Sequence, residues 1–304
     1  MATLQDGPAW PGKVSRPLVR EAPEGLARSI DLRSDAGRRP GWRRAVILAA
    51  VIAGGYLALL SWIYCYQEHL IFRPDPLPVA HRFIFNVVHE VSIEVGGETL
   101  SALHLRLPNP RGVVFFLHGN TGNLATWFTH SDFYRAHNYD LFMLDYRGYG
   151  KSSGHIESEA QLRADVLATW RSVEAQYAGK RKVIYGRSLG TALAAGLAAE
   201  VQPDLTILVS PYCDLAHLMT LHYPFMPKWL LRYPLVTCRD VGRLRGAVLL
   251  VHGEEDALIP VGHSEQLLTR APQARLLRVA GAAHVDVHQF PAYTDELRRA
   301  LKSL

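Results

Sequence analysis

A serine flanked by glycines stands between an apolar stretch and a run of small residues, in the segment 186–190 with the sequence GRSLG. The preceding stretch 182–185 is typical of a strand, and the following run 191–200 is typical of a helix. A tight turn between strand and helix lifts the hydroxyl of Ser188 above the sheet, where a base can reach it. The spacing therefore predicts a nucleophilic serine, with an ordinary structural turn as the alternative.

Such a serine needs two partners, because its hydroxyl is a weak nucleophile near neutral pH. An imidazole must take its proton, and a carboxylate must orient that imidazole. Asp256 follows the predicted buried strand 246–253, and His284 follows the predicted strand 274–279 and a short loop with a glycine. Residues that follow parallel strands share one rim of a sheet, so we predict that Ser188, His284 and Asp256 act together.

Other interpretations of these residues stay open. Asp256 could instead cap the helix that is predicted to follow it. His284 and His288 are four residues apart, which also permits a metal pair on a helix, but the glutamate of a zinc-peptidase helix is missing between them. Three other carboxylates could compete as the acid: Glu254 and Glu255, which lie beside Asp256, and Asp214, which follows the segment 210–213.

A second glycine-containing segment is a candidate for binding negative charge. The apolar stretch 111–117 predicts a strand, and it continues into 118–123 with the sequence HGNTGN. Glycines let the backbone turn here, so the N–H of Asn120 could join the N–H of Leu189 in holding an oxyanion. An ordinary glycine turn before a helix is the alternative. A phosphate-binding loop is disfavoured because no Gly-Lys-Ser/Thr closes the segment.

Taken in this order, the motifs resemble those of α/β-hydrolase serine enzymes. The resemblance is strongest to the membrane-anchored branch that contains bud-emergence-type proteins and eukaryotic depalmitoylating hydrolases. It runs from about residue 66 to the C-terminus and is carried by the segments 68–74, 118–123, 145–152, 186–190, 252–260 and 281–284.

This resemblance implies a role for each candidate residue. Ser188 would be the nucleophile, His284 the base and Asp256 the orienting acid, with Asn120 and Leu189 as oxyanion donors. Thr121 departs from the family pattern, because relatives often carry a smaller residue at this position. Its larger side chain could narrow the space beside the oxyanion donors. The branch is poorly defined for substrate, so the resemblance implies the chemistry more firmly than the specificity.

Strands and helices alternate along residues 67–304, which predicts one α/β domain. We expect the α/β-hydrolase fold, with a mostly parallel sheet, an antiparallel start and helices on both faces. Residues 212–240 are predicted to form a small cap, whose apolar side chains either build an acyl site or simply pack. Cys213 and Cys238 flank this cap, and an extracytoplasmic domain would permit a disulfide between them; free thiols are the alternative.

The segment 45–66, which begins at Ala45 and ends at Tyr66, contains no charged residue. As a helix it would be about 33 Å long, enough to cross the hydrocarbon core of a bilayer. Aromatic residues cluster toward its end, as is typical of a membrane interface. A transmembrane helix is therefore predicted, with a cleaved signal peptide or a buried core helix as alternatives.

Arginines are more numerous before this segment than after it. Six arginines lie between positions 28 and 44, whereas Arg73 and Arg82 are the comparable charges after it. The positive-inside rule then places the N-terminus in the cytoplasm and the hydrolase domain outside it. Residues 1–44 are predicted to form a disordered basic tail. This tail contributes much of the net charge of +5, so the positive charge does not indicate a nucleic-acid-binding surface.

Together these features predict a membrane-tethered serine hydrolase that cleaves acyl esters or thioesters through an acyl-enzyme. A serine peptidase or amidase on the same fold is one alternative, and a non-catalytic membrane-anchored scaffold is another. We expect no cofactor and no metal. The partners would be an acyl-ester, thioester or lipid-like substrate and the membrane, and the sequence leaves the oligomeric state open.

Overall fold

The computed structural model describes residues 40–85 and 87–304. Its first element is a long helix, α1 (Pro40–Ile71), which begins before the predicted segment 45–66 and continues past it. This helix is long and apolar enough to cross a membrane. Most of the predicted disordered tail 1–44 lies outside the described residues, and its last residues, 40–44, belong to α1.

The chain divides into two compact units after Ala53, so residues 54–71 of α1 belong with the rest of the chain. The second unit is built on an eight-stranded sheet. Its strands are β1 (Val88–Val95), β2 (Glu98–Leu105), β3 (Gly112–Leu117), β4 (Tyr139–Leu144), β5 (Arg181–Arg187), β6 (Leu205–Val209), β7 (Ala247–Gly253) and β8 (Ala274–Val279). Their order across the sheet is β8-β7-β6-β5-β3-β4-β2-β1.

The sheet is mostly parallel with an antiparallel start, as predicted. β2 pairs antiparallel with both β1 and β4, and every other pair is parallel. The central strands are runs of apolar residues, such as GVVFFL in β3, and all six of those residues are buried. Strands that are apolar on both sides need a cover on both faces, which the intervening helices supply.

Eight further helices follow α1 among the described residues. They are α2 (Leu124–Trp127), α3 (Ser131–Ala136), α4 (Glu159–Glu174), α5 (Gly190–Val201), α6 (Leu215–His222), α7 (Thr237–Val241), α8 (Gly262–Arg270) and α9 (Pro291–Lys302). One buried cluster includes Trp170 and Leu193 from α4 and α5, and a second includes Tyr134 and Leu297 from α3 and α9. The sheet thus has a hydrophobic core on each face, and the predicted fold class is confirmed.

Residues 212–240, called the insert below, contain α6, a short 3₁₀ turn at Lys228–Leu230 and the first part of α7. A disulfide joins Cys213 to Cys238, which resolves the alternative between a disulfide and free thiols. Met226 and Leu230 of the insert pack against Leu60 and Ile63 of α1. The insert therefore holds the C-terminal half of the long helix.

Candidate active site

Ser188 occupies a strained turn directly after β5. Its φ angle is +51°, in the left-handed region that residues with a side chain rarely adopt. A side chain at Gly186 would come within 2.6 Å of the Ala194 Cβ, and one at Gly190 would come within 2.2 Å of the Leu117 carbonyl oxygen. The glycines on both sides of the serine are therefore required by close packing of β3, β5 and α5.

The structure brings the three predicted residues together. Nε2 of His284 lies 3.0 Å from Oγ of Ser188, and Nδ1 of His284 lies 2.7 Å from Oδ2 of Asp256. An ionised carboxylate can only accept, so Nδ1 carries the proton and donates it to Asp256. The lone pair of Nε2 then faces the serine hydroxyl, and this is the arrangement in which an imidazole can take the serine proton.

Asp256 is buried, and the loop after β7 satisfies its carboxylate. Oδ1 accepts the backbone N–H groups of Leu258 at 3.1 Å and Ile259 at 2.8 Å. Burial alone would raise the pKa of Asp256, but His252, His284 and the Ile259 N–H stabilise the anion, so the pKa lies below its ordinary value. The carboxylate is therefore ionised throughout the neutral range.

The segment after β3 passes beside the serine, as the oxyanion prediction requires. A Cβ on Gly119 would lie 3.7 Å from the Ser188 Cβ. Two hydrogen bonds of Asn120 hold the loop in place. Its side-chain Nδ2 donates to the Ile71 carbonyl at 3.0 Å, and its backbone carbonyl accepts from the Tyr149 hydroxyl at 2.7 Å. Within the described residues, the backbone N–H groups of Asn120 and Leu189 donate no hydrogen bond.

The competing residues lie elsewhere. Asp214 caps the N-terminus of α6, where its side chain accepts the His217 N–H. Glu254 forms an ion pair with Arg278 on the exposed edge of the sheet, and Glu255 is exposed. Within the described range 87–304, none of these three carboxylates forms a hydrogen bond with Ser188, and neither does His288.

A cavity of about 580 Å³ opens from Ser188. Its polar residues near the serine include Asn120, Arg187 and His284, and its apolar residues come from α2, α3, β3, β4, α9 and the loops that carry Asp256 and His284. The apolar part is formed by Phe116, Trp127, Phe133, Leu141, Met143, Leu258, Val285 and Leu297. None of its lining residues belongs to the insert, so the interpretation that residues 212–240 supply the acyl site is wrong for this cavity.

Sequence reasoning missed two side chains that contact the site. His252 donates through Nε2 to the Ile259 carbonyl at 2.7 Å, binds the Ser264 hydroxyl through Nδ1, and lies 3.5 Å from Oδ2 of Asp256. Arg187 is buried, lines the cavity and donates to the His284 carbonyl. Position next to Ser188 was the one signal for Arg187, but sequence alone does not say which way its side chain points.

The chain is similar to known proteins in both sequence and structure. Residues 108–237 match the Hydrolase_4 family, described as serine aminopeptidase, S33. An uncharacterized protein of Mycobacterium tuberculosis is 29% identical over 256 residues, which cover 80% of this chain and 89% of that protein. Alpha/beta hydrolase domain-containing protein 17B of Homo sapiens is 31% identical over 211 residues, which cover 67% of this chain and 71% of that protein.

Solved structures share the fold. An esterase from Pyrococcus furiosus superposes with a TM-score of 0.61 at 19% identity, covering 76% of this chain and 97% of the esterase. A thioesterase domain from the curacin biosynthetic pathway gives a TM-score of 0.54 at 16% identity, covering 71% of this chain and 100% of that domain. The predicted resemblance is confirmed, and the chain belongs to the α/β-hydrolase superfamily, in the family that includes alpha/beta hydrolase domain-containing protein 17B.

Proposed function

We propose that this protein is a membrane-tethered serine hydrolase that cleaves acyl esters or thioesters through an acyl-enzyme. One observation carries the proposal. The imidazole of His284 bridges Ser188 and Asp256 at 3.0 and 2.7 Å, and the serine opens into a cavity of about 580 Å³. The hydrolase family and the hydrolase relatives support hydrolysis, and the arrangement of Ser188, His284 and Asp256 supports a serine mechanism.

In the first half of the reaction, Oγ of Ser188 attacks the carbonyl carbon of the ester. Nε2 of His284 takes the serine proton, and the imidazolium that forms is stabilised by the ionised Asp256. The carbonyl oxygen becomes an oxyanion, for which the unpartnered N–H groups of Asn120 and Leu189 are the proposed donors. Collapse of this intermediate expels the alcohol or thiol, which receives the proton from Nε2.

Water completes the second half. Nε2 of His284, again neutral, takes a proton from a water molecule that attacks the acyl-Ser188 carbonyl. The same oxyanion forms, and its collapse breaks the ester bond to Oγ, which regains its proton from Nε2. The products are the free acid and the original enzyme, so the cycle needs no group beyond the protein and water.

The walls of the cavity support an acyl substrate. The apolar residues of α3, β4 and α9 stand beyond the serine, where they would accept an aliphatic or aromatic acyl group. Two of the structural neighbours are an esterase and a thioesterase domain. Their low identity supports the fold alone, so the substrate kind depends on the cavity and the triad.

Amide cleavage is a second candidate, favoured by the description of the matching family as a serine aminopeptidase. The same three residues would serve it, since amide and ester hydrolysis share the tetrahedral intermediate. Among the described residues, no acidic side chain lines the cavity to receive a free α-amino group. This observation ranks amide substrates below esters and thioesters.

The proposed anchor is the apolar segment 45–66 of α1, with the N-terminus in the cytoplasm and residues 67–304 outside the cytoplasm. Apolar side chains of the insert remain exposed beside this helix, as expected for a surface next to a bilayer: Leu221, Tyr223, Phe225 and Trp229. The Cys213–Cys238 disulfide also suits an oxidising compartment. A reporter enzyme that is active only outside the cytoplasm, fused after Leu304, tests this orientation; an inactive reporter on a stable fusion would reverse it.

A fluorophosphonate probe tests the serine mechanism on the detergent-solubilised full chain. We expect labelling of the wild type and of Ser172→Ala, a control on the exposed face of α4, and no labelling of Ser188→Ala or His284→Ala. Ester, thioester and amide panels then rank the substrates. A folded wild type that resists the probe would refute the proposal and favour a non-catalytic scaffold.

A further inference from the structure

Arg187 is a buried residue whose positive charge forms no ion pair with a carboxylate in the part of the chain that the structure describes. The residue is 6% exposed, and within the described residues no other arginine is as deeply buried. Nη2 donates to the His284 carbonyl, and in the same described ranges no aspartate or glutamate forms an ion pair with it. A guanidinium has five N–H donors and stays charged, so most of its hydrogen-bonding capacity is unused.

Other shielded arginines of this protein are neutralised. Nε and Nη2 of Arg147 bind the two carboxylate oxygens of Asp165 at 2.7 and 2.9 Å. Arg163 pairs with Glu159 at 2.7 Å and with Asp240 at 3.0 Å. Burying a charge without a partner is costly, so the contrast indicates that the partner of Arg187 comes from outside the chain.

Arg187 faces the cavity that begins at Ser188. Two histidines line the same cavity, and the ring centroids of His130 and His288 are 5.1 Å apart. Burial and the positive charge of the nearby Arg187 hold the pKa of His288 below its ordinary value. Both imidazoles can donate an N–H to an anion while neutral.

The carboxylates nearest to these groups are already used. Asp256 binds His284, and Asp286 accepts the Ala283 N–H through Oδ1 at 2.8 Å. The described lining of the cavity contains no aspartate or glutamate. The described lining around Arg187 therefore offers donors and positive charge, while the nearby Asp286, whose charge acts to raise the pKa of His288, lies outside that lining.

We propose that Arg187, with His130 and His288, binds an anionic group of the substrate, a carboxylate or a phosphate, inside the cavity beside Ser188. This inference rests on the proposed function, since it names the class of ester that the enzyme hydrolyses. The substrate is an acyl ester or thioester with a negative charge on the part that enters the cavity. Arginine suits this task because its planar fork matches the paired oxygens of carboxylate and phosphate.

Two p-nitrophenyl esters of equal chain length test the proposal. Mono-p-nitrophenyl adipate ends in a carboxylate, whereas p-nitrophenyl hexanoate ends in a methyl group. We expect the full-length wild type to prefer the adipate in kcat/KM, and Arg187→Met to lose about 10- to 100-fold of that preference, the range of a charge-assisted hydrogen bond. Arg187→Lys should keep part of it, because the charge remains and the fork is lost.

A positioning role for Arg187 predicts a different result. If the residue only held the His284 loop through its carbonyl, Arg187→Met would lower kcat for both esters by the same factor, and the ratio of their kcat/KM values would not change. That outcome would overturn the proposal. Arg298→Met is the matched control, because Arg298 is exposed on α9 outside the described lining of the cavity, and it should leave the ratio unchanged.

A binding measurement removes catalysis from the test. Ser188→Ala protein in detergent is titrated with monomethyl adipate and with hexyl phosphate by calorimetry, which also distinguishes a carboxylate from a phosphate. Binding of either anion that disappears in Ser188→Ala/Arg187→Met supports the subsite. Absence of binding, or binding that survives loss of Arg187, overturns it. Fluorophosphonate labelling of the wild type with equal hydrolysis of both esters would refute the subsite and leave the hydrolase proposal intact.

Discussion

The substitution Asp256→Asn replaces one carboxylate oxygen by an NH₂ group, and the backbone decides which one. Oδ1 accepts two N–H groups, from Leu258 at 3.1 Å and Ile259 at 2.8 Å. An NH₂ group at that position would face two donors, so the amide oxygen stays there. The NH₂ group must then take the position of Oδ2, where it donates to Nδ1 of His284.

A donor facing Nδ1 reverses the tautomer of His284. The proton moves to Nε2, which now donates to Ser188 Oγ across the 3.0 Å contact and has no lone pair for the serine proton. Replacing the triad aspartate of a serine protease by asparagine lowers kcat about 10⁴-fold for this reason. We expect a loss of about 10³- to 10⁴-fold here, which corresponds to about 4–5.5 kcal/mol of barrier.

Steady-state hydrolysis of p-nitrophenyl hexanoate by the solubilised chain measures kcat, and thermal unfolding checks that the variant is folded. The unfolding temperature should fall, because the amide lacks the charge that His252 and His284 stabilise in the folded chain, but the variant should still fold, since both backbone hydrogen bonds to Oδ1 persist. Asp214→Asn is the control, since Asp214 also accepts a backbone N–H but caps α6 away from the serine. A loss in Asp256→Asn of less than about tenfold, or an equal loss in the control, would refute the tautomer argument.

Three further predictions concern the turn, the disulfide and a buried histidine. Gly190→Ala should destabilise the fold by about 3 kcal/mol or more in chemical unfolding, because the new Cβ would meet the Leu117 carbonyl oxygen at 2.2 Å. Reduction of the Cys213–Cys238 disulfide should lower stability by about 3 kcal/mol, seen as a fall of about 6–12 °C in Tm. Burial lowers the pKa of His263, so the unfolded chain binds more protons than the folded one below about pH 6.5, and stability should fall as the pH is lowered through that value; His263→Asn should flatten this dependence.

Each of these predictions has a matched control. Gly262→Ala should not destabilise, because a Cβ there meets nothing within 4 Å. Cys65→Ser should keep the wild-type response to reductant, since Cys65 is a free thiol. His155→Asn changes an exposed histidine and should leave the pH dependence of stability unchanged. If a control variant and its test variant behave alike, the corresponding structural reason is wrong.

The three residues Ser188, Asp256 and His284 could be predicted because each follows a strand that is evident in the sequence. The apolar runs of β5, β7 and β8 end directly before the loops that carry Ser188, Asp256 and His284. Parallel pairing aligns those ends at one edge of the sheet, so hydrophobic pattern alone brings the loops together. Their catalytic roles stay predictions until the variants are measured.

Other features depend on contacts that no local pattern reports. The side chain of Arg187 could have pointed into the core or the solvent, and its hydrogen bond to His284 joins residues 97 positions apart. The bounds of α1 differ from the predicted 45–66 because the hydropathy pattern marks the apolar span, whereas the helix also includes polar flanks such as Gln67, which bonds to the insert. The apolar pattern of the insert fits an acyl site and plain packing equally well, and the structure shows packing, since Met226 and Leu230 contact α1 whereas Leu218 and Tyr233 join the core of the sheet.

Different parts of the structure determine the proposed reaction and its substrate selectivity. The turn at Ser188 depends on β3, β5 and α5 meeting closely enough to exclude any side chain at Gly186 and Gly190, so it tolerates little variation whatever the substrate. The cavity floor includes strand residues such as Leu141, but much of its wall comes from elements outside the sheet, α2 and α3 together with the His284 loop and α9, where substitutions leave the sheet intact. Arg187 belongs to both parts, since it lies next to the nucleophile, holds the loop of the base through the His284 carbonyl and directs its remaining donors into the cavity. A charged substrate group bound there would therefore contact the residue that fixes the base, which links recognition of the substrate to the position of His284.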